Sequence, residues 1–274
     1  MKAGSNIVFK SFSSGSCGNC YFLGIKEDGS VKAGVVIDAG VSLRRLKKEL
    51  AAEGMSTDDF SAVLVTHDHL DHIRSLGSFC KHLKKPVYAT PDLLYALSHH
   101  SFTLEYIGAV KKELCEGWNE IVPGLISARY FIVPHDATQT VGYAIRIEKQ
   151  EFVIMTDIGR MTEEALEYAS ESRTVVIESN YDRDMLINGP YTEELKSRIM
   201  SGHGHLSNEE CAAAIRKFIH PDLKNIFLCH LSENNNTPEA ALEASVKVLR
   251  DSGKEGVISL RALPRQTASH LFNL

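Results

Sequence analysis

Short runs rich in β-branched and aromatic residues, broken by polar turns, fill the first forty positions, and this pattern predicts strands at 7–11, 20–25 and 34–37. The period then changes. Leu43, Leu46 and Leu50 fall on one face of a helix over 43–53. A strand at 62–65 precedes a helix over 73–83, a strand at 86–89, and a helix over 91–98 with Thr90 as its N-cap. The second half begins again with strands near 121–133, 141–147, 151–155 and 174–177. Helices at 193–201 and 207–219, a strand at 225–229 and a helix over 238–251 complete it. Strands come in runs ahead of helices in each half, which suits two packed sheets with helices outside.

The chain has 274 residues, 43% hydrophobic and 24% charged, with no linker-like stretch. One domain over residues 1–274 is therefore expected. The apolar stretch at 7–9 is too short for a signal-peptide core, and no run approaches a membrane span, so a soluble cytoplasmic protein is expected. Six cysteines without a secretory signal point to reduced thiols. Cys17-Gly18-Asn19-Cys20 has the spacing of half a zinc ribbon, but no second pair follows, and a turn between two early strands explains it better. A net charge of -5 fits awkwardly with nucleic-acid binding. Basic clusters do occur at Arg44-Arg45 with Lys47-Lys48, at Lys81 with Lys84-Lys85, and at Lys111-Lys112; each reads as a solvated face.

Chemistry concentrates in His67-Asp68-His69-Leu70-Asp71-His72. Three imidazoles and two carboxylates within six residues, placed where an apolar run ends, are metal-binding chemistry beyond what a polar turn needs. His67 and His69 could grip one ion, while Asp71 and His72, opening a helix, could face a second. Three other apolar runs also end in ligand-type residues: 130–134 in His135, 152–156 in Asp157 and 225–229 in His230. Strand ends that share one sheet edge bring such residues together. Phosphate-loop, complete dinucleotide-binding and serine-hydrolase elbow motifs are missing from the sequence.

The HxHxDH run with His135, Asp157 and His230 resembles the metal motifs of the metallo-β-lactamase superfamily. The match extends from about residue 7 to about residue 250 and is carried by further motifs. They include Ser14-Gly15-Ser16-Cys17-Gly18-Asn19-Cys20, Val36-Ile37-Asp38-Ala39-Gly40, Pro134-His135-Asp136, Glu178-Ser179-Asn180, Gly204-His205-Leu206-Ser207-Asn208 and His230-Leu231-Ser232. Together they resemble the YycJ (WalJ) branch, bacterial proteins described as 5′-to-3′ DNA exonucleases. The resemblance implies an α/β, α+β four-layer αββα sandwich, which fits the order of elements better than a doubly wound sheet. It also implies two divalent ions: His67, His69 and His135 on the first, Asp71, His72 and His230 on the second, and Asp157 between them. Imidazole and carboxylate without thiolate favour zinc, with manganese or iron open.

In such centres the ions stand roughly 3.5 to 4 Å apart, and a bridging hydroxide is the natural nucleophile. Asp71, His205 and Glu178 are the candidate catalytic residues. His205 is the expected proton donor to a departing alkoxide, with Glu178 in the place of the acidic partner that related phosphodiesterases use. A competing role for His205 is simply to precede a helix capped by Ser207 and Glu210. Asp38 is expected to brace the HxHxDH loop. Asp68 could do the same or face solvent, and Asp136 could orient a ligand or cap a turn. The glycine-flanked stretch 202–204 reads as a flexible turn carrying His203 and His205. The small residues of 13–19 could cradle an anion or form a plain hairpin. His82, His99, His100, His220 and His270 read as surface or packing residues.

The resemblance makes DNA the expected substrate, with no membrane partner and a place in DNA repair. A thioesterase or lactonase using the same centre is the alternative, and a non-catalytic binding relic is disfavoured by the complete ligand set.

Overall fold

The computed structural model describes residues 6–274. The chain starts with an antiparallel meander of β1 (Asn6–Gly15), β2 (Gly18–Glu27) and β3 (Ser30–Ile37). It then adds β4 (Ala62–Leu64), β5 (Val87–Ala89) and β6 (Lys111–Glu113) in parallel. The second half repeats this plan. β7 (Asn119–Val122), β8 (Ile126–Val133), β9 (Thr140–Ile147) and β10 (Gln150–Met155) are antiparallel, and β11 (Thr174–Glu178), β12 (Asn225–Cys229) and β13 (Ser259–Ala262) follow in parallel. A final strand, β14 (Phe272–Asn273), returns to pair with β1.

Both faces of each sheet are covered, so the strands read as continuous apolar runs rather than clean alternations. Side chains still sort by parity. Ile7 and Phe9 of β1, Tyr21 and Leu23 of β2, and Phe152 and Ile154 of β10 meet between the sheets. Val8, Phe12 and Phe22 face the other way, onto α1 (Leu43–Ala51), α3 (Leu76–Leu83) and α4 (Pro91–His99). Val153 and Met155 pack under α5 (Glu163–Glu171), α8 (Asn208–Phe218) and α9 (Pro238–Asp251). The result is the expected αββα sandwich.

Local differences have local causes. The expected helix over 73–83 is two pieces, α2 (Leu70–Ile73) and α3, because the chain turns after the metal-type residues and restarts at Leu76. Pro123 and Gly124 split the expected strand 121–133 into the hairpin of β7 and β8. Helix α5, capped by Thr162, and α6 (Arg183–Asn188), capped by Asp182, escaped the periodicity reading, as did the short edge strands β6, β13 and β14. Helix α7 (Glu193–Ile199) and α8 lie within the expected spans. Among the described residues, no helix is long and apolar enough to cross a membrane.

Candidate metal centre

Every ligand-type residue singled out in the sequence emerges at one edge of the sandwich. Strands β3, β4, β10, β11 and β12 run parallel within their sheets, and they end immediately before Asp38, His67, Asp157, Ser179 and His230 or within three residues of them. β8 runs in the same direction as β10, since both are antiparallel to β9, so His135 exits on that edge too. The two sheets are fastened together there. Val141 donates its amide to the Thr66 carbonyl at 3.0 Å. The Tyr143 hydroxyl donates to the Val65 carbonyl at 2.6 Å.

Two triads result. His67, His69 and His135 offer ligand atoms that all lie within 4.8 Å of one another, and so do Asp71, His72 and His230. Asp157 stands between them: one carboxylate oxygen is 3.1 Å from His72 Nε2, and the other is 3.8 Å from His135 Nε2. It is buried and accepts from the Thr156 hydroxyl at 2.6 Å. Although burial alone would raise its carboxyl, the neighbouring His230, His72 and His67 hold it well below the usual range.

Hydrogen bonds on the far side of each ring fix which nitrogen faces inward. His72 Nδ1 is held by Asp38 at 2.7 Å, and Asp38 also accepts from the Thr66 amide and hydroxyl, each at 2.8 Å. The Thr66 hydroxyl, having donated to Asp38, can accept from His67 Nδ1 at 3.1 Å. His135 Nδ1 donates to the Gly204 carbonyl at 2.9 Å. His69 Nε2 lies 3.2 Å from the Asp136 carbonyl, which leaves its Nδ1 for the centre. Asp38 therefore braces the loop as expected, and Asp68 does too, holding the amide and hydroxyl of Thr138.

The Nε2 atoms of His67, His135 and His230 are buried and have no hydrogen-bond partner among the described residues. Each unpaired buried group costs about 1 to 3 kcal/mol, so three in one spot require a ligand that accepts lone pairs. A divalent cation is such a ligand, and the donor set contains no thiolate. Burial, then the charge of His72, pushes His67 well below the ordinary imidazole value, which keeps its lone pair available. Burial opposes protonation of His72, yet Asp157, Asp38 and Asp71 raise it to about 10 without a cation in place. Such a pocket attracts positive charge.

Glu178 is a fully buried hub. One oxygen accepts from Nδ1 of both His205 and His230, each at 2.8 Å. The other accepts from the amides of Ile158 and Leu206, each at 3.1 Å. His205 is partly exposed and lines a cleft of about 320 Å³, together with Asp71, Asp157, Arg198 and Tyr191. The capping box of α8 uses Ser207 and Glu210 and leaves His205 out, so helix initiation does not account for it.

His203 is exposed and lies outside the cleft lining. Its turn is not loose, because a Cβ on Gly204 would stand 2.1 Å from the Ile199 carbonyl and one on Gly159 would meet Gly202 at 2.6 Å. Asp136 pairs with Arg198 while its backbone carbonyl meets His69. The stretch 13–19 is the tip of the β1–β2 hairpin, with Cys17 exposed and Cys20 in the core. His82, His99, His100, His220 and His270 stand apart from both triads.

Several participants were not singled out as functional in the sequence. Asn19 donates to the Asp71 carboxylate at 3.1 Å and lies 2.8 Å from His72 Nε2. Gly40 lets the loop close: a Cβ there would stand 1.7 Å from the Asp71 carbonyl oxygen. Ser179, Asn208 and Asn236 form a buried amide and hydroxyl network that ties together the segments after β11, at the start of α8 and after β12. Their signal was present as small-polar motifs, but nothing in sequence spacing says which loops meet.

Fold and site together define a metal-dependent hydrolase of the two-sheet αββα class. Residues 34–226 match the family described as beta-lactamase superfamily domain. The chain is 31% identical over 245 residues to exodeoxyribonuclease YycJ of Bacillus anthracis, covering 89% of this chain and 90% of that protein. It is 32% identical over 239 residues to exodeoxyribonuclease WalJ of Streptococcus pneumoniae, covering 86% and 87%. The metallo-beta-lactamase fold protein YhfI of Bacillus subtilis superposes with a TM-score of 0.67 at 12% identity, over 96% of this chain and 99% of that one. The chain belongs to the metallo-β-lactamase superfamily, in the group that these two exodeoxyribonucleases represent.

Proposed function

We propose that this chain is a single-domain, dinuclear-metal phosphodiesterase over residues 1–274, acting in the cytoplasm as a 5′-to-3′ DNA exonuclease. His67, His69 and His135 hold the first ion, Asp71, His72 and His230 the second, and Asp157 contributes to both; zinc suits the donors best. When bound, such ions supply Lewis acidity toward water and toward the phosphodiester. The DNA substrate is supported by the names of the relatives, whereas the polarity of digestion and the DNA-repair role rest on the resemblance of the motifs alone.

The observation that carries the phosphodiester reading is the Glu178–His205 pair. Glu178 takes the proton of His205 Nδ1 as a hydrogen bond, and no described residue bonds Nε2 of this cleft-lining ring. Burial opposes a charged ring, but Glu178 outweighs it and raises the pKa of His205. A ring so held is favoured in its protonated form and can give the Nε2 proton to a departing alkoxide, an effect of about 10²- to 10⁴-fold. Glu178 touches no reacting atom, so its part is positioning. Asp71 binds Asn19 at the cleft side of the second triad and completes that ligand set.

The test is digestion of end-labelled linear duplex DNA with a 5′ phosphate, run beside a thioester panel. Mononucleotide release that is abolished by Asp157→Ala and slowed about 10²-fold or more by His205→Ala, with metal content retained, is expected. Thioester turnover with inert DNA would instead install the small-molecule hydrolase, and full activity of His205→Ala would remove the proton-donor role.

A further inference from the structure

Away from the two triads, the cleft is poor in positive charge for a polyanion. Four carboxylates, from Asp71, Asp136, Asp157 and Glu233, line it, and its single arginine, Arg198, is already paired with Asp136. Ions at the two triads would offset Asp71 and Asp157 and meet the scissile phosphate, but the phosphates beyond it find no free cation in this lining and need cations elsewhere.

Three basic clusters are available, and the structure separates them. The pocket beside Lys81 and Lys84 and the one beside Lys111 share no lining residue with the cleft. The third cluster is connected to it. Ser16, Leu231 and Glu233 belong both to the cleft and to a shallow notch over the β1–β2 turn. Gln266 joins that notch to a groove of about 570 Å³ lined by Arg44, Arg45 and Lys48 of α1 against one carboxylate, Glu49.

The groove breaks a local rule. Helix α1 has no acidic residue in its first turn, and instead places arginines there, against the helix dipole. Arg45 is tied down by the carbonyls of Phe12 and Gln266. Arg44 and Lys48, one helical turn apart, are exposed and make no ion pair or side-chain hydrogen bond among the described residues. Glu233, where notch and cleft meet, is neutralised in part by Arg265 at 3.5 Å.

We infer that this route is the track of the DNA strand, its backbone phosphates running from the metal centre over the β1–β2 turn to Arg44 and Lys48. The inference rests on the nuclease reading above and names the surface that reading lacks. From Ser16 back to Phe12, whose carbonyl holds Arg45, is four strand positions, roughly 13 Å at about 3.3 Å per residue. With a rise of about 3.4 Å per base step, the patch meets phosphates about four steps beyond the one that passes Ser16 at the cleft rim.

The test is fluorescence anisotropy of a labelled 20-mer duplex with hydrolysis-resistant phosphorothioate linkages, titrated with metal-loaded protein at several salt concentrations, so that binding is read without turnover. Arg44→Ala/Lys48→Ala should weaken binding about 10-fold or more at 0.1 M salt and flatten the salt slope by about 2, since each phosphate contact contributes about 0.9. A Lys81→Ala/Lys84→Ala control should bind as the wild type does. Turnover of bis(p-nitrophenyl) phosphate, which cannot reach the patch, should be equal in all three proteins, and this also shows that the variants are folded. DNA binding that is indifferent to the α1 variant, or more sensitive to the control, overturns the track and leaves the nuclease reading standing. Absence of binding by the wild-type protein overturns both.

Discussion

Replacing Glu178 by glutamine changes one atom and no volume, yet no orientation of the amide satisfies what surrounds it. The carboxylate accepts four hydrogen bonds, two from imidazole Nδ1 atoms and two from backbone amides. An amide nitrogen facing either pair meets two donors. Each charge-assisted bond contributes about 1.5 to 3 kcal/mol, so about 3 to 6 kcal/mol is lost if nothing adjusts. The backbone amides cannot adjust, but the imidazoles can move their protons to Nε2 so that Nδ1 accepts from the glutamine. That relief protonates His230 on the nitrogen that would bind metal and removes the counterion of a charged His205. Metal affinity should fall about 10- to 100-fold, the usual scale for a group behind a ligand. At saturating metal, DNA hydrolysis should still fall about 10²-fold or more. Competition with a chromogenic chelator measures the first quantity, and initial rates on labelled DNA at graded metal concentrations measure the second. Metal affinity within twofold of wild type, together with unchanged saturated rates, would refute the hub role.

Gly40→Ala should disable the same centre by crowding. Its Cβ would lie 1.7 Å from the Asp71 carbonyl and 2.5 Å from the Asn19 amide nitrogen, so the loop must move by about 1 Å, and displacements of that size cost about 10²-fold in rate. Urea unfolding should also show a loss of about 1 to 3 kcal/mol, whereas Gly108→Ala, whose Cβ would meet nothing within 4 Å, should be silent in both assays. Stripping metal with a chelator should lower the melting temperature by about 5 to 10 °C, since a ligand at 100 times its Kd stabilises by about 2.7 kcal/mol. Calorimetry with and without added zinc measures that shift, and coincident transitions would argue against a resident ion.

The convergence of the proposed ligands was legible in the sequence because four of them follow apolar runs and the other three share the HxHxDH stretch, and a strand that ends at a chelating side chain leaves a local signature. His67, Asp157 and His230 all carry it. The supporting residues left weaker signals. Asn19 and Gly40 meet Asp71 only because the β1–β2 turn folds under α2, and that closure depends on tertiary packing 52 residues apart in the chain. Helices α5 and α6 went unread for a different reason. Both are short, of nine and six residues, and their threonine and aspartate caps announce a start without a long apolar face to confirm it. The basic clusters looked alike in sequence, and only the continuity of surface from cleft to α1 set one apart.

Asp38, Asp157 and His230 share a further property: all three have positive φ, at 60°, 54° and 52°. This left-handed conformation costs a non-glycine residue on the order of 1 to 2 kcal/mol, so three neighbouring instances store strain where the sheets meet. Glycine would relieve the strain, but it has no carboxylate or imidazole. The strain is borne because each proposed ion would draw ligands from both halves of the sandwich: His67 and His69 with His135, and Asp71 and His72 with His230. Metal binding would thus cross-link the two sheets at the edge already fastened by Val141 to Thr66 and by His230 to the Ser14 hydroxyl at 2.9 Å. Ligand spacing would then be set by sheet packing and not by loop flexibility, which would keep the proposed centre organised during turnover.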